Sequence, residues 1–216
     1  MSEPTLIERL ARVSARIAAA GRNPDEVAIV AVTMGFGVDT CREALAAGLE
    51  ILGENRVHEA LSKMDAVTGA QWHLIGHLQT NKVKQAAGRF ALIHSVDSAR
   101  LAEAIAHHSP RQAVLVEVNI AREPQRSGVA PEQALELIAT VSTLLDLQGV
   151  MGMGPSAGDP TPAFNELRRL HDEAEQRVGK GMPFLSMGMS GDFEAALAAG
   201  STMLRLGQAL FGPRPT

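Results

Sequence analysis

Short apolar runs alternate with segments of helical composition along almost the whole chain, and this alternation most constrains the fold. The helical segments between them, rich in alanine, leucine and glutamate, include 38–47, 56–66, 98–107, 131–144 and 161–178. Because strands that alternate with helices pair in parallel, eight such repeats in 216 residues favour one compact α/β (βα)₈ TIM barrel over an open sheet. The eight runs of strand length and composition are 27–33, 49–52, 72–75, 91–96, 113–118, 147–151, 184–187 and 203–206.

Composition and charge exclude several classes of protein. The net charge is −4 and the arginines are scattered, so we expect no nucleic-acid partner. No apolar run approaches the roughly 20 residues that span a bilayer, and Cys41 is the only cysteine. The first 21 residues carry charges throughout and predict an amphipathic helix ahead of the barrel rather than a signal peptide. We expect a cytoplasmic protein without membrane contact and, because no linker divides the chain, one domain over residues 1–216.

The segment 184–212 combines two of the apolar runs with small residues where each run ends. Glycines let a backbone approach a ligand closely, and a helix N-terminus attracts an anion. Arg205 would add a fixed cation nearby. The segment therefore predicts a phosphate-binding cup, although glycines that merely turn the chain at strand ends give the same pattern. The small residues are Gly188, Ser190 and Gly191, with Met189 among them, after the first run and Gly207 after the second.

Four motifs together are specific to a known family. They are GENRVHEAL, WHLIGHLQTNK, VNIAREPQRSGV and LSMGMSGDFEAALAAGSTMLRLGQALFG, in this order along the chain. The sequence from about residue 27 to 212 resembles the pyridoxal 5′-phosphate homeostasis proteins, single-domain relatives of the alanine racemase N-terminal barrel. The resemblance implies that barrel fold, pyridoxal 5′-phosphate (PLP) as cofactor, a mostly monomeric state and no assigned catalytic turnover.

The resemblance also implies a set of cofactor-binding residues. Arg205 matches the arginine that faces the pyridine nitrogen, and a guanidinium there keeps that nitrogen unprotonated and weakens the ring as an electron sink. Asn55 and His77 are expected near the ring. The residues expected to face the phosphate are Ser186, Gly188, Met189, Ser190, Gly207 and Gln208.

The chain departs from the family at the end of its first strand. The family has a lysine there that forms a Schiff base with the cofactor, whereas this sequence reads AIVAVTMGFG and places Met34 at that position. A thioether cannot form an imine. Met34 has two interpretations. It either fills the space that the lysine stem would occupy, or it marks the loss of the covalent link, whether by natural divergence or by an introduced substitution. We expect non-covalent binding of PLP, or of phosphate or sulfate alone.

Two other functions remain open at this point. A racemase on this barrel needs a lysine and a tyrosine as bases together with a second domain, and this chain contains no tyrosine. The second is a barrel that serves to bind a protein partner, and it stays open because the sequence gives no signal of an interface.

Histidines and cysteine outside the motifs give weaker signals. His73 and His77 are four residues apart and His107 adjoins His108, which invites a metal interpretation. Because no cysteine or carboxylate completes a set, we favour satisfied core or surface histidines and predict no metal site. Cys41 fits a small buried apolar residue. The run with Arg168, Arg169 and His171 is typical of a solvated helix face.

Overall fold

The computed structural model describes residues 3–213 and shows a closed barrel of eight parallel strands. Each strand pairs with the next, and β1 pairs with β8 in the register Ala31 to Leu206, which closes the cylinder. The predicted (βα)₈ barrel is confirmed. The strands are β1 Ala28–Val32, β2 Ile51–Glu54, β3 Gln71–Leu74, β4 Leu92–Val96, β5 Ala113–Val118, β6 Asp146–Gly152, β7 Phe184–Ser186 and β8 Met203–Leu206.

Helices follow the strands and form the outer layer. The N-terminal helix precedes the barrel as predicted and starts with a capping box, in which the Glu8 N–H donates to Thr5 Oγ1 and the Thr5 N–H donates to Glu8 Oε2. Within residues 3–213, no helix is long and apolar enough to cross a membrane. The helices are α1 Leu6–Ala19, α2 Val38–Ala46, α3 Val57–Met64, α4 Val83–Ala86, α5 Ala99–His108, α6 Pro131–Leu144, α7 Thr161–Val178, α8 Phe193–Ala198 and α9 Gln208–Phe211.

The predicted start of the second strand at residue 49 is wrong. Gly48 has φ +85°, and the Leu49 N–H donates to the Ala44 carbonyl at 2.9 Å, so both residues complete the C-terminal cap of α2. Leu49 is buried because the apolar residue of such a cap packs on its helix, and the strand begins two residues later at Ile51.

Two apolar clusters make up the core. The larger one fills the layer between the strands and the surrounding helices, and it includes Cys41, which is fully buried as expected. The smaller one fills the barrel itself and is built from Val30, Leu92, Leu115, Met151 and Met203. Each fully buried aliphatic side chain of this kind stabilises the fold by roughly 1.5–3 kcal/mol. The apolar plug ends below the carboxyl ends of the strands, where polar side chains take over.

Candidate functional site

A layer of polar side chains crosses the barrel above the apolar plug. Arg205 stands two residues after Met203, and its Nη1 donates to both the carbonyl oxygen and the Oγ of Ser186 at 2.9 Å. Its Nη2 donates to the Gly152 carbonyl at 3.0 Å. His94 Nδ1 lies 3.4 Å from Ser186 Oγ, and His94 Nε2 lies 3.0 Å from His73 Nδ1. A continuous hydrogen-bonded chain thus connects β3 with β8.

This layer contributes one positive charge at neutral pH. Burial lowers the pKa of His73 to about 4, and burial together with His73 and Arg205 holds the pKa of His94 well below its usual range. Burial lowers the pKa of Arg205 to about 10, which still leaves the guanidinium protonated. Both histidines are therefore neutral hydrogen-bonding groups. Of the two alternatives left open by the sequence, core or surface, His73 is a core histidine, with His94 as its partner.

Glu117 on β5 is a buried acid that the sequence motifs did not single out. Burial raises its pKa, and Ser127 Oγ donates to its Oε1 at 2.9 Å. Its Oε2 is buried and has no hydrogen-bond partner among the residues described. The one signal in the sequence was an acidic residue inside the apolar strand AVLVEV. The orphaned oxygen marks a place that a polar ligand group could satisfy.

The turn after β7 contacts the start of α9. Ser190 Oγ accepts a hydrogen bond from the Ala209 N–H at 3.0 Å, which joins the two ends where a phosphate cup was predicted. Gly207 and Gln208 line an adjacent hollow of about 330 Å³ together with Val32 and Phe36. The structure thus brings Ser190, Gly207 and Gln208 together at one edge of the barrel mouth.

Three other residues predicted to face a phosphate have different immediate contacts. The hydroxyl of Ser186 is fully buried in the polar layer and accepts from Arg205. The Met189 N–H donates to Asp192 Oδ1 at 2.6 Å, and the Met189 side chain is exposed. Gly188 has φ +96°, and a Cβ there would lie 2.7 Å from Ala196 Cβ, so the packing of α8 already requires this glycine.

Met34 follows β1 at the carboxyl end of that strand. It is partly buried and lines a hollow of about 190 Å³ with Gly35, Asn55 and Glu59, while Val32 lines the hollow at Gly207. The Gly35 N–H donates to Glu59 Oε1 at 2.6 Å. Two residues beyond Met34, the Phe36 ring packs against Phe211 of α9 with centroids 5.3 Å apart. The loop that carries Met34 is thereby fixed to both α3 and α9.

A buried lysine supports the loop after β1 from behind. Lys63 Nζ donates to the Thr33 carbonyl at 3.0 Å, to Glu54 Oε1 at 2.7 Å and to Glu59 Oε1 at 2.9 Å. Burial alone would lower the pKa of Lys63, but the two carboxylates raise it above its usual value. With all three ammonium hydrogens donated, Lys63 is held as a structural cation and not as a reactive amine.

The remaining three lysines lie outside the core. Lys180 Nζ is 3.1 Å from Asp146 Oδ1, and Lys84 is exposed on α4. Lys82 lines a third hollow of about 470 Å³, which it shares with Asn55 and His77. The structure therefore places Asn55 and His77 at the barrel mouth, on the opposite side of Met34 from Gly207.

Within residues 3–213, one group of possible metal ligands occurs, on α7, between the third and the fourth motif. It comprises His171, Asp172 and Glu175. His171 Nε2 donates to the Met182 carbonyl at 2.9 Å, Glu175 accepts from the Met182 N–H, and Asp172 pairs with Arg168. These bonds anchor α7 to the segment before β7. His171 is buried, so its predicted place on a solvated helix face is wrong, whereas Arg168 does lie on that face.

Comparison with known proteins supports this architecture. Residues 8–215 match the family described as alanine racemase, N-terminal domain. The pyridoxal phosphate homeostasis protein of Aquifex aeolicus is 39% identical over 96% of this chain and 97% of its own length, and that of Pseudomonas aeruginosa is 37% identical over 97% and 96%.

Solved structures show the same barrel. PipY of Synechococcus elongatus is 32% identical, and its structure without PLP covers 96% of this chain and all of PipY with a TM-score of 0.87. The structure of PipY with PLP bound gives a TM-score of 0.81 over the same shares. Alanine racemase from Corynebacterium glutamicum, at 15% identity, matches in fold with a TM-score of 0.76 over 97% of this chain and 62% of the enzyme. The barrel and its motifs place this chain in the family of the pyridoxal phosphate homeostasis proteins, which share the N-terminal domain fold of alanine racemase.

Proposed function

We propose that this protein binds PLP without a covalent link at the carboxyl ends of its barrel strands and acts in PLP homeostasis rather than catalysis. The observation that carries the proposal is Met34, a thioether that lines a hollow with Asn55 and follows β1, which pairs with the strand before Gly207. The relatives carry the name pyridoxal phosphate homeostasis protein, and PipY has been solved with PLP bound. In this proposal, the residues that bind PLP surround the end of β1, which offers no amine.

The residues present fit this cofactor. The phosphate is assigned to Gly207 and Gln208, which line a hollow, and to Ser190, whose hydroxyl contacts the Ala209 N–H at the start of α9. The orphaned Oε2 of buried Glu117 matches a ligand that brings its own polar group to the barrel mouth. Asn55 and His77 are assigned to the ring on the other side of Met34.

Arg205 limits what a bound cofactor can do. PLP supplies an electron sink when its ring nitrogen is protonated. A guanidinium facing that nitrogen can only donate a hydrogen bond and cannot accept one from a protonated nitrogen, so it favours the unprotonated ring. Ser186 and Gly152 hold the guanidinium in a fixed position inside the barrel. We therefore propose binding without turnover, by a cytoplasmic monomer, which size-exclusion chromatography with light scattering will test.

Restoring the missing amine tests the proposal. The wild-type chain should bind PLP reversibly, lose it on desalting and gain no mass after borohydride treatment. Met34→Lys should stay yellow through desalting and gain one cofactor mass per chain after borohydride, while Met34→Leu should behave like the wild type. Peptide mapping will locate any covalent adduct, and one fixed by wild-type protein at a single peptide would contradict non-covalent binding.

A second variant tests the cup itself. A Cβ at Gly207 would lie 3.5 Å from the Val32 side chain and carbonyl oxygen, an ordinary van der Waals distance, and the two further methyl groups in Gly207→Val add bulk to the hollow. We expect it to weaken PLP binding to both the wild-type and the Met34→Lys protein. Unchanged binding would place the cofactor elsewhere. Absence of α-proton exchange of amino acids in deuterated water checks the proposed lack of racemase activity.

A further inference from the structure

The hollow between the turns after β2 and β3 lies at the barrel mouth, and the phosphate cup at Gly207 does not use it. It has a volume of about 470 Å³, within the range of roughly 300–1,000 Å³ that is common for small-molecule sites. It is larger than a single inorganic ion needs. Polar side chains dominate its wall, and they include Asn55, Arg56, His58, His77, Gln79 and Lys82.

The charge on this wall is positive and uncompensated. Arg56 and Lys82 both line the hollow, and within residues 3–213 neither makes an ion pair or a side-chain hydrogen bond. No carboxylate lines the hollow in the part of the chain that the structure describes. The two nearby acids are engaged elsewhere, Glu59 with Lys63 and the Gly35 N–H, and Asp97 with His77 at 3.2 Å. An anion entering here meets two cations and no opposing acid.

The start of α3 adds backbone donors to the same wall. Arg56 is the N-cap residue of this eight-residue helix and provides no side-chain cap, so the first N–H groups of the helix have no capping partner. Val57 and His58, the first two residues of α3, also line the hollow. Free N–H groups and the positive end of a helix stabilise an anion next to them.

We propose that this hollow, whose Asn55 and His77 are also assigned to the PLP ring, is a second anion site that binds the phosphate group of a phosphorylated small molecule without using the cup at Gly207. Arg56 and Lys82 supply the charge, the start of α3 supplies N–H donors, and the amides of Asn55 and Gln79 contact the rest of the molecule. Because Asn55 also lines the hollow at Met34, the occupant lies at the barrel mouth next to the position of the missing lysine.

Titration with phenyl phosphate, followed by the imidazole NMR signals of the full-length chain, tests this site. The signals of His58 and His77, assigned with His58→Gln and His77→Gln, should shift saturably in the wild type. The double variant Arg56→Gln/Lys82→Gln should bind the probe at least about tenfold more weakly there, since two charged hydrogen bonds are lost. Lys84→Gln, which removes an exposed charge two residues from Lys82, should leave the affinity unchanged, and far-UV circular dichroism checks that each variant is folded.

The outcomes separate this site from the cup. With Gly207→Val, the His58 and His77 shifts should persist. If instead they disappear in Gly207→Val and survive in Arg56→Gln/Lys82→Gln, phosphate binds only at the cup, and the second site is refuted while the proposed PLP site stands. An equal loss of affinity with Lys84→Gln would also refute it, because binding would then follow overall charge.

Discussion

Replacing Lys63 by methionine should destabilise this barrel strongly, although the residue lies outside the proposed ligand sites. Lys63 Nζ donates three hydrogen bonds, to Thr33, Glu54 and Glu59, and its side chain is 7% exposed while that of Glu54 is fully buried. Methionine retains the apolar stem and removes the ammonium. The change leaves the Glu54 carboxylate with Thr33 Oγ1 as its remaining hydrogen-bond donor.

The magnitude follows from the burial of this pair. Removing one partner of a buried ion pair costs roughly 3–5 kcal/mol, because the other charge stays in a low dielectric without its counter-ion. For a chain of this length, each kcal/mol shifts the melting temperature by about 2–4 °C, which predicts a decrease of roughly 6–20 °C. The double variant Glu54→Gln/Lys63→Met removes both charges and should recover part of the loss.

Chemical denaturation and thermal melts by circular dichroism measure this prediction. Lys84→Met is the matched control, because it makes the same substitution at an exposed position and should change stability by less than about 0.5 kcal/mol. A Lys63→Met protein within about 1 kcal/mol of the wild type would refute the interpretation of Lys63 as a buried structural cation. So would a double variant that is less stable than Lys63→Met alone.

Three further predictions address the turns, the polar layer and the N-terminal helix. Gly76→Ala should destabilise the protein by roughly 1–3 kcal/mol in urea unfolding, because its Cβ would lie 2.1 Å from Asn55 Oδ1, whereas Gly191→Ala, with open space around it, should be nearly neutral. The pKa of His73 is about 4 in the folded state against 6.5 in the unfolded state. The stability that depends on neutral His73 is therefore fully present above pH 6.5, and the free energy of unfolding should fall by roughly 3 kcal/mol as the pH drops to 4. His73→Gln should make this decline smaller when unfolding is measured across that pH range. Thr5→Ala should cost about 1 kcal/mol by loss of the capping box, and a variant as stable as the wild type in thermal melts would show that α1 does not depend on it.

Much of the fold could be predicted because the local pattern and the tertiary structure agree. The limits of β5, β8, α6 and α7 follow directly from apolar runs and from Pro131 and Gly179 at helix ends. Leu49 was misassigned because a buried cap residue and a strand residue are both apolar. The short helix α4 gave no signal, since four residues cannot show a helical period.

The candidate site was predictable only in part. Ser190, Gly207 and Gln208 come together because β7 and β8 are adjacent, which topology implies. The roles of the other polar residues depend on whether their side chains point into the barrel or toward the helices. The alternation of side chains along a strand puts Glu117 into the barrel, whereas Glu54 faces the helices and meets Lys63. Which distant side chain completes a hydrogen bond, such as His94 with His73, cannot be read from one chain position.

The hydrogen bonds of Arg205 and Ser190 have a consequence for ligand release. The Arg205 guanidinium donates to Ser186 and Gly152, and Ser190 Oγ accepts from the Ala209 N–H, so these protein groups are hydrogen-bond partners of one another. Release of a bound ligand would therefore leave neither the buried Arg205 guanidinium nor the Ser190 hydroxyl without a hydrogen-bond partner. A barrel whose polar groups satisfy one another in this way should keep its structure whether or not a ligand is bound.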